Sequence, residues 1–167
     1  MATDSFHPSY DTIKDAWTEN TRGVLFVHLF GEPEDLSEVK KLCDKRGAVL
    51  IEDCAQSYGS SAGRTGLASA YSFFPAKNLG CLGDAGAVTT NDLELAERIK
   101  MIRMHGSKVK YSYEVLGGNF RMDTIQAGFL NVLLEHVDSW IEKRRENAIY
   151  YNSRLGGIRE LVLPDTC

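Results

Sequence analysis

Residues 24–52 constrain the fold more than any other part of the sequence, because two strand patterns flank one helix pattern. Residues 24–30 are aliphatic and aromatic except for His28, which is typical of a strand buried on both faces. Residues 48–52 repeat the pattern more briefly. Strand, helix and strand with short connections form a right-handed crossover, which places the ends of both strands at the same edge of a parallel sheet.

Helix signals support this organisation. Asp35 and Glu38 match a capping box that predicts the start of the helix between the two strands, and Gly47 stands where a left-handed C-terminal residue is expected. Asn91 and Glu94 match another capping box, which opens a second helix pattern over about residues 92–104. The longest pattern predicts one helix over about residues 123–154, with an apolar stripe that suggests packing or a subunit contact. We expect residues 1–167 to form a single α/β domain.

The second half of the predicted sheet contains no nucleotide-binding loop. Residues 70–74 and 85–90 read as strands, and residues 161–163 as the start of another. Residues 75–84 are rich in turn formers, but their glycines lead into a strand. A dinucleotide fingerprint needs glycines between a strand and a helix, so the loop does not match it.

Composition excludes several classes of protein. The residues are 43% hydrophobic and 25% charged, as in an ordinary globular domain. Lys and Arg number 19 against 23 Asp and Glu, and the net charge of −4 gives no global attraction to nucleic acid or an anionic membrane. No apolar run approaches the roughly 18 residues of a membrane span, and residues 1–10 lack a secretion-signal pattern. No metal centre or disulfide framework is indicated by the spacing of Cys43, Cys54, Cys81 and Cys167. We expect a cytoplasmic protein with reduced thiols.

Asp53 is the first candidate site residue, because it follows the strand over residues 48–52 directly. Ligands of open α/β sheets bind beyond the carboxyl ends of the strands. The alternative for an isolated acid at this position is a solvated turn carboxylate. A lysine in the loop after the next strand, Lys77, gives Asp53 a possible chemical partner.

Two segments together resemble one enzyme family. Residues 51–56 read I-E-D-C-A-Q, and residues 72–80 read S-F-F-P-A-K-N-L-G. The pair is similar to the DegT/DnrJ/EryC1/StrS sugar aminotransferases, a branch of the fold-type I pyridoxal phosphate enzymes, and the likeness extends over about residues 5–165. The resemblance implies the core of a fold-type I large domain, a mainly parallel sheet with flanking helices that is incomplete at both ends.

The resemblance implies a role for each matching residue. Lys77 corresponds to the lysine that forms a Schiff base with pyridoxal phosphate and then shuttles a proton, and Asp53 to the acid that keeps the pyridine nitrogen protonated. Gln56 corresponds to the amide beside the phenolic oxygen, and Ser72 to a phosphate-binding hydroxyl. Asn119 matches an asparagine that reaches the phosphate in the neighbouring subunit, which implies a homodimer with shared active sites. Without the resemblance, Gln56 would be an ordinary turn residue and Ser72 an ordinary strand serine.

The implied reaction is transfer of an amino group, with glutamate as a plausible donor, to a keto group on a nucleotide-linked sugar, in a pathway such as polysaccharide biosynthesis. A lysine at position 77 argues against the dehydratase branch of the family, which has histidine there. The alternative is an inactive fragment or degenerate paralogue that serves as a folded interaction module. Arg121, His105 and Lys108 are weaker candidates, for a structural ion pair or contact with the nucleotide sugar.

Overall fold

The computed structural model describes residues 6–164. Its first half contains α1 (Tyr10–Asp15), β1 (Gly23–Val27), a one-turn 3₁₀ helix (Leu29–Gly31), α2 (Ser37–Arg46) and β2 (Val49–Asp53). The second half contains β3 (Ala68–Ser72), β4 (Gly86–Thr89), α3 (Leu93–Ile102), β5 (Ser107–Val109), β6 (Ser112–Tyr113), α4 (Thr124–Leu134) and α5 (Val137–Leu155).

The main sheet has the strand order β1-β2-β3-β4. β1 pairs with β2 and β2 with β3 in parallel, whereas β4 runs antiparallel to β3. The predicted crossover is therefore confirmed, with β1, α2 and β2 as its elements. β5 and β6 form a separate antiparallel hairpin.

Helix α2 covers one face of the sheet and produces the first core. Phe26 and Leu50 point from the strands towards Leu36, Val39 and Cys43. Gly47 ends the helix at φ 65°, as predicted, because a residue without Cβ adopts the left-handed conformation at little cost. The start differs from the predicted capping box: Asp35 accepts a hydrogen bond from the Ser37 backbone N–H, at 2.9 Å.

The opposite face of the sheet is open within residues 6–164. Along β1 the burial alternates, with Leu25 66% exposed and Phe26 2% exposed. Val49 and Ile51 on β2 are exposed beside Leu25, because no described helix packs on them. The prediction of a strand buried on both faces is therefore wrong for this part of the structure.

A second core lies under the loop after β3. Phe73, Leu79 and Cys81 pack there against Leu130 of α4 and Val137 of α5. This packing explains a correction to the predicted helix over residues 123–154. The structure has two helices that meet at residues 135–136, and the change of direction lets both bury an apolar side chain in the same cluster.

Other boundaries also differ from prediction. The first strand ends at Val27 because the chain turns at Leu29–Gly31, and β3 lies two residues earlier than predicted because Phe73 and Phe74 belong to the following loop. Residues 161–164 have no regular structure where a strand was predicted. Across residues 6–164, every helix is too short or too polar to cross a membrane.

Candidate active site

Asp53 lies at the carboxyl end of β2, beside Val27 of β1 and Ala70 of β3. Its side chain is half-buried, and its Oδ1 accepts a hydrogen bond from the backbone N–H of Ala55, at 2.9 Å. The backbone N–H of His28 donates to the Asp53 carbonyl oxygen at 3.1 Å. These contacts hold a carboxylate at the sheet edge where β1, β2 and β3 end.

Ser72 is the last residue of β3 and lies two positions beyond Ala70. Paired residues of parallel strands point to the same face of a sheet, as do residues two apart on one strand. The Ser72 hydroxyl and the Asp53 carboxylate therefore share the open face. Ser72 Oγ accepts a hydrogen bond from the Phe74 N–H at 3.3 Å, which leaves its own hydrogen available for donation.

Lys77 lies in the tight loop after β3. Its backbone N–H donates to the Phe74 carbonyl oxygen at 2.9 Å, and a Cβ on Gly80 would come within 2.6 Å of the Pro75 carbonyl oxygen. The loop thus folds closely on itself and returns to β3 through the Cys81 N–H, which donates to the Phe73 carbonyl oxygen at 2.8 Å. The Lys77 side chain is half-buried, and its Nζ makes no hydrogen bond or ion pair with any described residue.

Gln56 follows Asp53 in the loop after β2 and is exposed. Its Oε1 accepts a hydrogen bond from the backbone N–H of Phe30 at 2.7 Å. Phe30 is in the 3₁₀ turn after β1 and has a left-handed backbone, with φ 59°. The turns that follow β1 and β2 are therefore joined through the Gln56 side chain.

Asn119 makes its contacts with the segment that follows α3 and with Arg121. It forms an isolated bridge with Met104, after α3, and its Oδ1 accepts a hydrogen bond from Arg121 Nε at 2.8 Å. His105 has φ 62°, and Lys108 lies exposed on β5. The structure thus gathers Asp53, Gln56, Ser72 and Lys77 around the ends of β2 and β3, while Asn119, Arg121, His105 and Lys108 belong to the region of the β5–β6 hairpin.

Sequence reasoning missed a buried, hydrogen-bonded pair of side chains beneath the site. His28 Nε2 lies 2.8 Å from Glu52 Oε2, and neither side chain reaches solvent. The Glu34 N–H donates to His28 Nδ1 at 3.3 Å, so Nε2 carries the hydrogen that is donated to Glu52. The available signal was an acid directly after the apolar residues of a strand and next to the candidate Asp53.

Glu52 also anchors the loop between β2 and β3. Its carboxylate accepts hydrogen bonds from the backbone N–H groups of Gly63 at 2.8 Å, Thr65 at 2.7 Å and Gly66 at 2.5 Å. Burial by itself raises the pKa of Glu52, but the bonds from Gly66, His28, Gly63 and Thr65 outweigh it and hold the pKa below the ordinary value of 4.5. Glu52 is therefore a buried carboxylate that stays ionised at neutral pH.

Cys54 completes a group of three potential metal ligands, since its Sγ and the donor atoms of His28 and Glu52 lie within 4.8 Å of one another. Both His28 nitrogens and both Glu52 oxygens already have hydrogen-bond partners, however. Burial also raises the pKa of the Cys54 thiol. The group is best explained as a structural anchor.

A cavity lies beside the turn that follows β1. It measures about 740 Å³ and is bounded by Phe30, Arg145 and Ile149, between the turn after β1 and helix α5. An adjoining groove of about 270 Å³ contains Gln56 and Asn78. Asp53, Ser72 and Lys77 line neither space, so they are presented at the open edge of the sheet.

Comparisons with known proteins agree with this architecture. The DegT/DnrJ/EryC1/StrS aminotransferase family matches residues 1–166. A dTDP-3-amino-3,4,6-trideoxy-alpha-D-glucose transaminase of Streptomyces venezuelae is 44% identical over 167 residues, which are 96% of this chain and 44% of the relative. The structure of S. venezuelae DesV with a ketimine intermediate matches with a TM-score of 0.90 and 42% identity, over 96% of this chain and 45% of that one.

A second solved structure, NtdA from Bacillus subtilis with bound cofactor PMP, matches with a TM-score of 0.86 and 30% identity. The match covers 89% of this chain and 35% of that one. These similarities confirm the predicted fold, the core of a pyridoxal phosphate aminotransferase large domain. The chain spans less than half the length of the proteins it matches here, and it belongs to the DegT/DnrJ/EryC1/StrS aminotransferase family.

Proposed function

We propose that this chain is the cofactor-binding part of a pyridoxal phosphate-dependent aminotransferase that acts on nucleotide-linked keto sugars. The observation that carries the proposal is the unpaired ammonium of Lys77, in the loop after β3, together with Asp53 and Ser72 at neighbouring strand ends. A half-buried lysine without a structural partner is available for chemistry. Family membership supports the same assignment.

The residues at this edge fit the cofactor chemically. Bound pyridoxal phosphate supplies an electron sink for the substrate carbon, and it works best when its ring nitrogen is protonated. Asp53 is a carboxylate held by the Ala55 N–H, and its negative charge would retain a proton on that nitrogen. Lys77 Nζ is the amine that would condense with the cofactor carbonyl carbon, with loss of the carbonyl oxygen as water, and when free it would take and return a proton.

The neutral donors suit the two oxygen groups of the same molecule. Ser72 Oγ can donate its hydrogen to a phosphate oxygen, since its recorded bond to the Phe74 N–H uses only a lone pair. Gln56 has a free amino group that can donate to the phenolic oxygen. The Asp53 carboxylate is thus the acceptor for the ring nitrogen, the Lys77 amine is the nucleophile, and the Ser72 hydroxyl and Gln56 amide are donors for the cofactor oxygens.

The substrates and the assembly are inferred from the relatives. We infer an amino-acid donor such as glutamate and a nucleotide-sugar acceptor, because the S. venezuelae relative is named as a dTDP-sugar transaminase. We also infer a cytoplasmic homodimer in which Asn119 serves the phosphate of the neighbouring active site. The exposed position of Asn119 beside Met104 is consistent with a role towards a second subunit.

The first experiment is to incubate the chain with pyridoxal phosphate, reduce it with borohydride and locate the modified lysine by mass spectrometry. Lys77→Arg keeps the charge but removes the nucleophilic amine, so we expect loss of the adduct. Lys41→Arg is the matched control, because Lys41 is exposed and paired with Glu38 at 2.8 Å. Modification spread over surface lysines, or unchanged in Lys77→Arg, would contradict the proposal and favour an inactive fragment.

A further inference from the structure

Three successive backbone N–H groups hold the segment that leads from β1 into the Leu29–Gly31 turn. That of His28 donates to the Asp53 carbonyl oxygen at 3.1 Å, and that of Leu29 to His7 Nε2 at 2.9 Å. That of Phe30 donates to Gln56 Oε1 at 2.7 Å. Two of the three acceptors belong to residues of the candidate site, so the turn and the site share one hydrogen-bond network.

Phe30 reaches Gln56 through an unusual backbone conformation. Its φ of 59° and ψ of 10° lie in the left-handed region, which bulky residues rarely adopt. Gly31 continues the turn at φ 87°, and a Cβ there would come within 3.0 Å of the Gln56 carbonyl oxygen. The turn thus lies close against residue 56, and such a conformation persists where the surrounding contacts define it.

The Phe30 N–H determines which way the Gln56 amide faces. The two branches of a glutamine amide have the same shape but opposite roles, since the oxygen accepts hydrogen bonds and the nitrogen donates them. Only the oxygen can accept from Phe30, so the amino group occupies the other branch. No described residue accepts from that amino group.

We propose that the Leu29–Gly31 turn is a positioning element that makes Gln56 a pure hydrogen-bond donor towards an anionic oxygen of the ligand. Under the proposed function, on which this inference rests, that oxygen is the phenolate of pyridoxal phosphate. Without the Phe30 N–H, the amide could rotate and present its oxygen to the phenolate, where two acceptors would repel each other. The left-handed conformation of Phe30 thus contributes to cofactor recognition without touching the cofactor.

Two substitutions at position 30 separate the backbone from the ring. Phe30→Asn and Phe30→Val both remove the ring, which contacts Phe6 at 5.1 Å between centroids. Asn adopts the left-handed region readily, whereas β-branched Val does not. Amide hydrogen exchange of residue 30 in the cofactor-free chain reports the hydrogen bond directly. We expect the exchange protection of the residue 30 N–H to stay within about twofold of wild type in Phe30→Asn and to fall about tenfold in Phe30→Val.

Gln56→Glu supplies the complementary variant. A carboxylate still accepts from the Phe30 N–H but has no donor, so protection at residue 30 should persist while the Kd for pyridoxal phosphate rises about tenfold. Phe30→Val should weaken binding of the cofactor to a similar extent. Like Gln56→Glu, it should also shift the pH at which the visible absorption of the cofactor changes. Phe30→Asn should resemble wild type in both respects. Gln126→Glu is the control, because Gln126 Oε1 accepts from the Leu82 N–H at 2.9 Å in the same way but is not among the candidate cofactor residues.

The outcomes distinguish the two proposals. If wild type binds no cofactor, the proposed function fails, while hydrogen exchange still tests the turn. If residue 30 exchanges freely in wild type, the turn does not hold the amide and the inference is wrong. If Phe30→Val and Phe30→Asn bind the cofactor equally well and have the same absorption profile, the turn has only a structural role, and the inference is again overturned.

Discussion

At the scale of single residues, Asp53 and Glu52 are adjacent in sequence but have opposite surroundings. Asp53 faces the open side of the sheet, half-buried and with one backbone donor on Oδ1. Glu52 points to the other face and has His28 and three backbone N–H groups around its carboxylate. The period of two along a strand explains why one acid can serve a ligand and its neighbour can serve the fold.

The charge of Asp53 is expected to matter for chemistry more than for binding. Asp53→Asn keeps Oδ1 for the Ala55 N–H but removes the negative charge that would retain a proton on the cofactor ring. We expect turnover of the assembled enzyme to fall on the order of 100-fold while most of the cofactor stays bound. Turnover and the bound fraction are measured on the same sample, with Asp92→Asn as control. Equal falls in turnover and in the bound fraction would contradict the role assigned to Asp53.

Glu52, in its buried pair with His28, is expected to make a pH-dependent contribution to the free energy of unfolding. Glu52→Gln leaves at least one buried N–H group without an anionic acceptor, at a cost of about 2–4 kcal/mol in the free energy of unfolding. Urea unfolding at pH 7 measures this cost, with exposed Glu38→Gln as control.

The sign of the pH effect follows from the lowered pKa of Glu52. Its stabilisation is complete above the ordinary value of 4.5 and is lost as the pH falls through the lower pKa of the folded state. The difference in stability between wild type and Glu52→Gln should therefore narrow as the pH is lowered below 4.5. A difference that stays constant at acid pH would show that Glu52 is not ionised in the folded protein.

At the scale of elements, the helix and strand patterns predicted which segments are regular, but contacts set the boundaries. Asn91 was predicted to open α3, yet the N-cap is Asp92, whose side chain accepts a hydrogen bond from the Leu95 N–H at 3.0 Å. Asn91 and Asp92 can both cap a helix through a side-chain oxygen, but the backbone conformation places only Asp92 at the N-cap position. Asp35 likewise accepts its hydrogen bond from Ser37, two residues further on, and not from the third residue that a capping box predicts.

This distinction between neighbours gives an element-scale prediction. Asp92→Ala should destabilise the chain by about 1 kcal/mol, because it leaves an N–H group in the first turn of α3 without its partner. Asn91→Ala should change stability by less than about 0.5 kcal/mol. Urea midpoints of the two variants make the comparison. A larger loss of stability in Asn91→Ala than in Asp92→Ala would support the capping box that the sequence predicts at Asn91.

At the scale of the whole molecule, the described sheet is covered on one face and open on the other. Leu25 and Phe26 are neighbours on β1 with opposite exposures. Leu25→Lys should change the stability of the 167-residue chain by less than about 0.5 kcal/mol. Phe26→Ala should cost about 3–5 kcal/mol, because it leaves a cavity under α2. Chemical unfolding tests both, and a strong destabilisation by Leu25→Lys would show that the face is covered in solution.

The predictable features depend on local chemistry. The crossover of β1, α2 and β2 and the helix end at Gly47 were both predicted from side-chain types and their spacing. The motif pair also indicated the family, which the match over residues 1–166 confirmed. Features of this kind can be predicted from the sequence because residues close together along the chain determine them.

The remaining features required the tertiary structure, because they depend on groups distant in sequence. The turn after β1 meets Gln56 across 26 residues, and His28 meets Glu52 across 24. The division of the predicted helix over residues 123–154 into α4 and α5 reflects packing on the loop after β3. Sequence alone determined the strand ends on which a site could form; the packing of turns and loops decided which atoms meet there and which hydrogen bonds remain free for a ligand.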